Sequence, residues 1–164
     1  MKFDVIGFGA LNVDKLCHVG RIAGGGEESF VLTMDEAPGG SAANTIVGLA
    51  RLSAKTGFIG KIAEDHEGQL LLDDLKHEGV NTDGIAISQK GHSGNVTAYI
   101  DETGERALYV HPSVNDTLSL EEIDVEYAMR ARLLHLASMD DKPFRVQKRL
   151  VSMLPGVRAS LDPG

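Results

Sequence analysis

With 164 residues, 42% hydrophobic and 24% charged, the chain has the size and balance of one ordinary globular α/β domain with a real core. Sixteen basic against twenty-four acidic residues give a formal charge of −8; without a basic run, this argues against a nucleic-acid or membrane-surface binder. The single cysteine, Cys17, excludes an internal disulfide framework and a zinc-type cysteine cluster, and reads as a small semi-buried residue rather than a nucleophile.

Residues 2–9 (KFDVIGFG) form a compact apolar run ending in glycines, as a buried parallel strand does. The apolar start is too short and too glycine-rich for a signal peptide, and no run approaches the ~18 apolar residues of a membrane span, so the expected location is cytoplasmic. Residues 42–52 carry apolar positions at helical spacing after the break Gly39-Gly40-Ser41. Strands are expected at 55–59, 84–88, 133–137 and 157–161. Helices are expected at 68–78, closed by Gly79, at 120–129 behind a Ser119/Glu122 capping box, and at 144–153. Alternating strands and helices predict βαβ units and a mainly parallel sheet.

Two stretches break that rhythm. Residues 14–35 place Gly24-Gly25-Gly26 between two short alternating segments, and residues 94–111 read as a hairpin turning at Asp101-Glu102-Thr103-Gly104. Two β insertions, at about 14–36 and 92–111, predict one small sheet over the mouth of the main domain, in the manner of a lid. The last expected strand runs into Leu161-Asp162-Pro163-Gly164 at an unprotected sheet edge, which predicts that the chain is half of something larger.

Three motifs carry chemistry. Gly7-Phe8-Gly9-Ala10-Leu11-Asn12 with Asp14 brings Asn12 and Asp14 to the carboxyl end of a strand, where open α/β sheets bind ligands. A carboxylate there can accept hydrogen bonds from two adjacent sugar hydroxyls, and Asn12 in place of a third glycine breaks the dinucleotide fingerprint. Pro38-Gly39-Gly40-Ser41-Ala42-Ala43-Asn44 lets a ligand approach the backbone at Gly39 and Gly40, with helix N–H donors behind it and Asn44 in the first turn. Gly57 to Gly68, with Gly60 after a strand and Asp65 before a helix, reads as turn chemistry that builds the fold. The six histidines have no paired metal spacing, and His135 reads as a sheet residue. Ser41 lacks a nucleophile elbow, Asp73-Asp74 reads as a solvated face, and Asp140-Asp141 follows a strand end that could face the site.

Taken together, strand-GxGxxNxD, GGSAAN and GxxGxxxxDxxG resemble the N-terminal signature of the ribokinase-type, or PfkB, carbohydrate kinases. The resemblance spans essentially the whole chain and implies a ribokinase-like three-layer αβα core with a β lid, whose C-terminal half is absent. It implies ATP- and Mg2+-dependent phosphorylation of a small sugar, sugar acid or nucleoside. Asp14, Gly39, Gly40 and Asn44 would hold the acceptor with Asn12 in support, while Tyr99 and Arg106 of the hairpin would close over it. A homodimer through the lid is a further implication. The family's Gly-Ala-Gly-Asp helix start, which supplies the catalytic base and anion hole, occurs nowhere in residues 1–164. No catalytic residue is therefore expected here, the nucleotide site is expected in the missing half, and the chain alone is expected to be inactive. Two other classes stay open: a non-catalytic sugar-binding or regulatory module, and a nicotinamide-dependent oxidoreductase.

Overall fold

The computed structural model describes residues 2–163 apart from 138 and 140. Nine strands divide between two sheets. β1 (Phe3–Phe8), β4 (Thr56–Ala63), β5 (Asn81–Ser88), β8 (Ala131–Ala137) and β9 (Arg158–Asp162) form a parallel sheet in the order β5-β4-β1-β8-β9. β2 (Asn12–Val19), β3 (Val31–Gly39), β6 (Gly94–Ile100) and β7 (Arg106–His111) form a second, mixed sheet in the order β3-β2-β6-β7. Both expected β insertions thus join one sheet, with β2 and β6 parallel at its centre and antiparallel partners outside.

Helices cover both faces of the parallel sheet, giving three layers. α1 (Ser41–Arg51) and α2 (His66–His77) pack one face through Ile46, Leu71 and Leu75 against Val5 and Phe58. α3 (Val125–Met129) and α4 (Asp141–Ser152) pack the other through Tyr127, Ala128 and Leu150 against Ile6, Phe8 and Leu134. β4 is buried at all eight positions, as befits a parallel strand covered on both sides. Close packing here depends on missing side chains: a Cβ on Gly7 would lie 2.4 Å from Ile46 Cγ1, and one on Gly9 2.8 Å from Ala42 Cβ. Among the described residues no helix is long and apolar enough to cross a membrane.

Two expectations need correction. The strand expected to stop at Ile59 continues to Ala63, so Gly60 lies inside it rather than after it. Lys61 hid the extension from the sequence pattern. Its ammonium is buried, and Glu122 Oε1 stands 2.6 Å away, which makes a cation tolerable in a covered strand. The helix expected over 120–129 splits into a 3-10 turn at Leu120–Glu122 and α3. Glu122 does close back on the Ser119 N–H at 2.9 Å, but Asp124 caps a new helix by accepting from the Tyr127 N–H at 3.1 Å, so the chain restarts there.

Tyr127 fills a slot cut by two glycines. Its hydroxyl donates to the Asn81 carbonyl at 3.1 Å, and burial pushes its pKa up to about 12. A Cβ on Gly84 would stand 2.5 Å from the Tyr127 ring and 2.6 Å from the Phe58 carbonyl, whereas Gly48, mid-α1, has nothing within 4 Å. Gly84→Ala is therefore expected to destabilise the chain by about 1–3 kcal/mol through overpacking. Gly48→Ala should stabilise it by about 0.5–1 kcal/mol by removing unfolded-state freedom. Urea unfolding midpoints of the two variants should move in opposite directions.

Candidate functional site

The chain enters the second sheet twice from the carboxyl ends of parallel strands, from β1 into β2 and from β5 into β6. β1 ends at Phe8 and β2 begins at Asn12, so only Gly9, Ala10 and Leu11 make the crossing. Leu11 is fully buried, and both of its backbone polar groups are satisfied by one side chain. Asn115 Oδ1 accepts from the Leu11 N–H at 3.0 Å, and Asn115 Nδ2 donates to the Leu11 carbonyl at 3.0 Å and to Asn12 Oδ1 at 3.0 Å. Asn115, on the 3-10 turn Ser113–Thr117 after β7, is itself buried. Gly94, opposite Asn12 in register, makes the arrangement possible: a Cβ there would stand 2.2 Å from both Asn115 Nδ2 and Asn12 Oδ1.

Asp14 lies one pleat further along β2, so it projects from the same sheet face as Asn12. Its carboxylate sits across the end of β3, where a Cβ on Gly39 would be 2.3 Å from Asp14 Oδ2. No described residue gives the Asp14 carboxylate a hydrogen bond or an ion pair, and burial raises its pKa above the usual carboxylate value. Gly40 follows at φ 114°, a conformation L side chains avoid, and a Cβ on it would lie 2.4 Å from the Ala10 carbonyl. α1 starts immediately afterwards with no side chain capping its N-terminus. Ala10, Asn12, Val110, Asn115, Asp116 and Met139 line an open cleft of about 210 Å3 beside this group.

The structure therefore brings Asn12, Asp14, Gly39 and Gly40 together, but by a different route from the one expected. Asn12 and Asp14 belong to β2 of the second sheet rather than to the end of β1, and Gly39 closes β3 instead of breaking into α1. Asn44 stands in the first turn of α1, exposed and without a side-chain hydrogen bond, beside Pro38 and Gly39 in a shallow crevice toward α2.

Tyr99 is placed elsewhere. It pairs in register with Cys17, three residues from Asp14, so it projects from the opposite face of the sheet. There its ring meets Tyr109 edge-on at 5.8 Å and helps line a small pocket with Arg21 and Ile22. Arg106 opens β7 opposite Ile100, which in turn faces His18. Arg106 is exposed and shares the Asp14 face, but at the far end, two pleats and two strands away and roughly 16 Å off at ordinary sheet spacings. Asp140 and the side chain of Asp141 lie outside the described residues.

Two further groups hold the second sheet in place. Asp65 caps α2 by accepting from the Gly68 N–H at 2.8 Å, and also accepts from the Ser93 N–H at 2.8 Å and the Ser93 hydroxyl at 2.6 Å. Ser93 Oγ in turn accepts from the Ala63 N–H at 2.9 Å, so the root of β6, the helix start and the end of β4 share one knot. Burial works against the Asp65 charge, but the hydrogen bonds from Ser93 and Gly68 outweigh it and hold its pKa below the usual value. On the sheet face away from Asp14, Lys15 Nζ reaches Glu67 Oε1 of α2 at 3.2 Å and Glu36 Oε1 at 3.7 Å. His135 bonds Ser160 through Nδ1 at 2.9 Å, across β8 and β9, as a sheet residue. Among the described residues no group of three or more His, Cys, Asp or Glu side chains is arranged to hold a metal ion.

Asn115 and Ser93 were not among the expected site residues. Asn115 acts across 104 positions, and nothing near it in the chain announces that reach. Ser93, directly before the Gly94 that opens the hairpin, carried only ordinary turn chemistry as a signal.

Residues 4–151 match the family described as pfkB family carbohydrate kinase. The chain belongs to that family. An uncharacterized sugar kinase of Archaeoglobus fulgidus is 43% identical over 122 residues, covering 72% of this chain and 48% of that protein. An ATP-dependent ribose-1-phosphate kinase of Halopiger xanaduensis is 31% identical over 160 residues, covering 98% of this chain and 54% of that protein. The ribokinase of Thermotoga maritima superposes with a TM-score of 0.88 at 23% identity, over 98% of this chain and 52% of that one, and shows the shared fold. The Halothermothrix orenii fructokinase does so with a TM-score of 0.84 at 22% identity, over 98% and 57%. The pfkB-family chain spans about half the length of the relatives it matches.

Replacing Asn115 by Ala would strand the buried Leu11 N–H and carbonyl together. A loss of about 2–4 kcal/mol is expected from two unsatisfied backbone groups, read as a lower urea midpoint at unchanged slope. Asp65→Asn should cost stability at neutral pH and cost progressively less as pH falls through the carboxylate range. The depressed pKa means the wild-type contribution is present above the unfolded value and lost below the folded one. Melting temperatures of the pair should converge toward acid pH.

Proposed function

We propose that this chain carries the acceptor-binding side of an ATP-dependent sugar or nucleoside kinase, with the second sheet serving as its lid. The observation that carries the reading is the Asp14 carboxylate: half-buried, unpartnered among the described residues, and laid across Gly39 where no side chain blocks approach. A buried carboxylate left without a donor is costly to keep, and two vicinal hydroxyls would supply the donors it lacks. Asn12, fixed by Asn115 and on the same face of β2, offers a second polar contact, while Asn44 stands at the start of α1 in a separate crevice toward α2.

In this reading residues 1–164 are the N-terminal part of one ribokinase-like domain, with lid insertions at about 14–36 and 92–111. ATP with Mg2+ would supply the transferred phosphoryl group and neutralise its charge, held by a segment outside this chain. The residues present here would bind and orient the hydroxyl and, through the lid, keep water out. The proton of that hydroxyl would go to a base of the Gly-Ala-Gly-Asp type, which this chain lacks, so the chain alone would bind without turning over. Exposed apolar positions of the lid, Leu108 and Val110 on one strand and Leu32 and Met34 on another, support a homodimer through it. The relatives are named for different acceptors, ribose 1-phosphate and fructose among them, so family membership alone leaves the acceptor class open.

A thermal-shift titration tests the reading directly, because a ligand that binds only the folded state raises the melting temperature as its concentration passes Kd. Stabilisation by a sugar or nucleoside, and none by Mg-ATP, is expected; stabilisation by Mg-ATP alone would refute it. Gly39→Ala should weaken the acceptor at least tenfold by pushing Asp14 out of place. Affinity should fall as pH drops through the raised pKa of Asp14, because the protonated carboxyl loses acceptor capacity.

A further inference from the structure

We propose that Asn115 is a positioning residue of the acceptor site: it fixes which end of the Asn12 amide the cleft meets, so that a hydrogen-bond donor stands there beside the acceptor-only carboxylate of Asp14. The inference rests on the acceptor-side reading above and extends it to a residue that acts through another.

An asparagine amide can present either its carbonyl or its NH2 end, and neighbours of fixed polarity decide which. Backbone groups are such neighbours. The Leu11 N–H can only donate, so the Asn115 atom 3.0 Å from it is Oδ1. The Leu11 carbonyl can only accept, so the Asn115 atom 3.0 Å from it is Nδ2. That nitrogen has one proton for Leu11 and one left for the Asn12 atom at 3.0 Å, which must therefore be Oδ1. Polarity thus passes from a buried backbone through two side chains with no choice at any step. Gly94 leaves room for the pair, since a Cβ there would collide with both Asn115 Nδ2 and Asn12 Oδ1. What remains is Asn12 Nδ2, on a half-buried side chain that shares the Asp14 face of β2 and lines the cleft, with no hydrogen bond to any described residue.

A ligand therefore meets two polar groups of opposite sense. The ionised Asp14 carboxylate only accepts, and Asn12 Nδ2 only donates. A hydroxyl answers both, with its oxygen for Asn12 and its proton for Asp14, whereas an ether or carbonyl oxygen has nothing to give Asp14. With the Asn12 amide reversed, both protein groups would accept, and a hydroxyl between them would satisfy only one. An unrestrained amide samples both orientations. Asn115, buried and with its own amide fully used by Leu11 and Asn12, removes that freedom before a ligand arrives, so binding does not bear the cost of ordering it.

Two readouts test this. In heteronuclear NMR of the chain without ligand, the side-chain NH2 protons of Asn115 should exchange slowly with water and those of Asn12 quickly, and saturating D-ribose or D-fructose should shift the Asn12 pair. An Asn12 pair that is protected in the free chain, or that stays unmoved when a sugar binds, would overturn the proposal without any variant. Calorimetric titration with the same sugars then closes a cycle over Asn12→Ala, Asn115→Ala and the double variant, at a temperature where circular dichroism shows each one folded. The two single variants should each weaken the sugar about tenfold and the double variant no further, because the same hydrogen bond is lost in all three. Asn12→Asp keeps an oxygen toward Asn115 and turns an acceptor to the cleft, so it should bind more weakly than Asn12→Ala. Losses from Asn12 and Asn115 that multiply, or an Asn12→Asp chain within about threefold of the wild type, would leave Asn115 a structural residue and the acceptor-side reading standing. No binding of either sugar at tens of millimolar would overturn both.

Discussion

Everything that faces the cleft depends on how three residues carry the chain from one sheet to the other. Gly9, Ala10 and Leu11 must turn a core strand into a strand of the second sheet inside a buried volume, and a buried crossing leaves backbone groups with nowhere to bond. Asn115 resolves this with one amide that mimics a strand partner, accepting from Leu11 N–H and donating to its carbonyl. The same amide reaches Asn12, so the side chain that satisfies the crossing also orients the first polar group of the site. The fold problem and the site problem have one solution, which explains how a residue more than a hundred positions away comes to define the beginning of β2.

The second sheet is then held at three places with different physics. The Asn115 contact is buried and neutral, and therefore insensitive to salt and pH. The Asp65–Ser93 knot is charged and charge-assisted, and it ties the root of β6 to the start of α2. The Lys15–Glu67 contact lies further out and is partly solvated, the weakest of the three. Restraint thus falls off from the crossing toward the flanks, where the outer strands β3 and β7 are exposed at most of their positions. A sheet anchored firmly at its root and loosely at its flank has the mechanical character a closing element requires.

Much of this was legible from the sequence where periodicity rules. The parallel strands, the helices over both faces and the joining of two β insertions into one sheet all follow from apolar spacing and turn residues. The failures have specific causes. Lys61 broke the apolar run of β4, because a lysine in a covered strand is intelligible only once Glu122 is known to sit beside it. Asp124 started a new helix where the pattern continued an old one, since a side-chain cap competes with propagation of the preceding turn. Tyr99 was expected over the acceptor, but a strand shows alternate residues to opposite faces, and only the pairing of β6 with β2 says which face is which. Motif spacing grouped Asn12, Asp14, Gly39 and Gly40, which the structure brings near one another on β2 and β3 and at the start of α1, and it assigned them to other strands. Spacing along the chain records proximity better than it records the path.

The site is made largely of side chains that are not there. Gly39 leaves room for the Asp14 carboxylate, Gly40 for the Ala10 carbonyl, and Gly94 for the Asn12–Asn115 contact. Each glycine is flanked by a polar group brought closer than any Cβ would allow, so the polar groups are positioned by contact with bare backbone and not by rotamer choice alone. Bare backbone cannot swing aside as a side chain can, which gives the cleft definition without a large surrounding core. It also removes the tolerance that repacking gives elsewhere, because no compensating substitution next door restores a Cβ-sized gap. The arrangement therefore concentrates the closely held polar groups and the sensitivity to substitution in the same few positions.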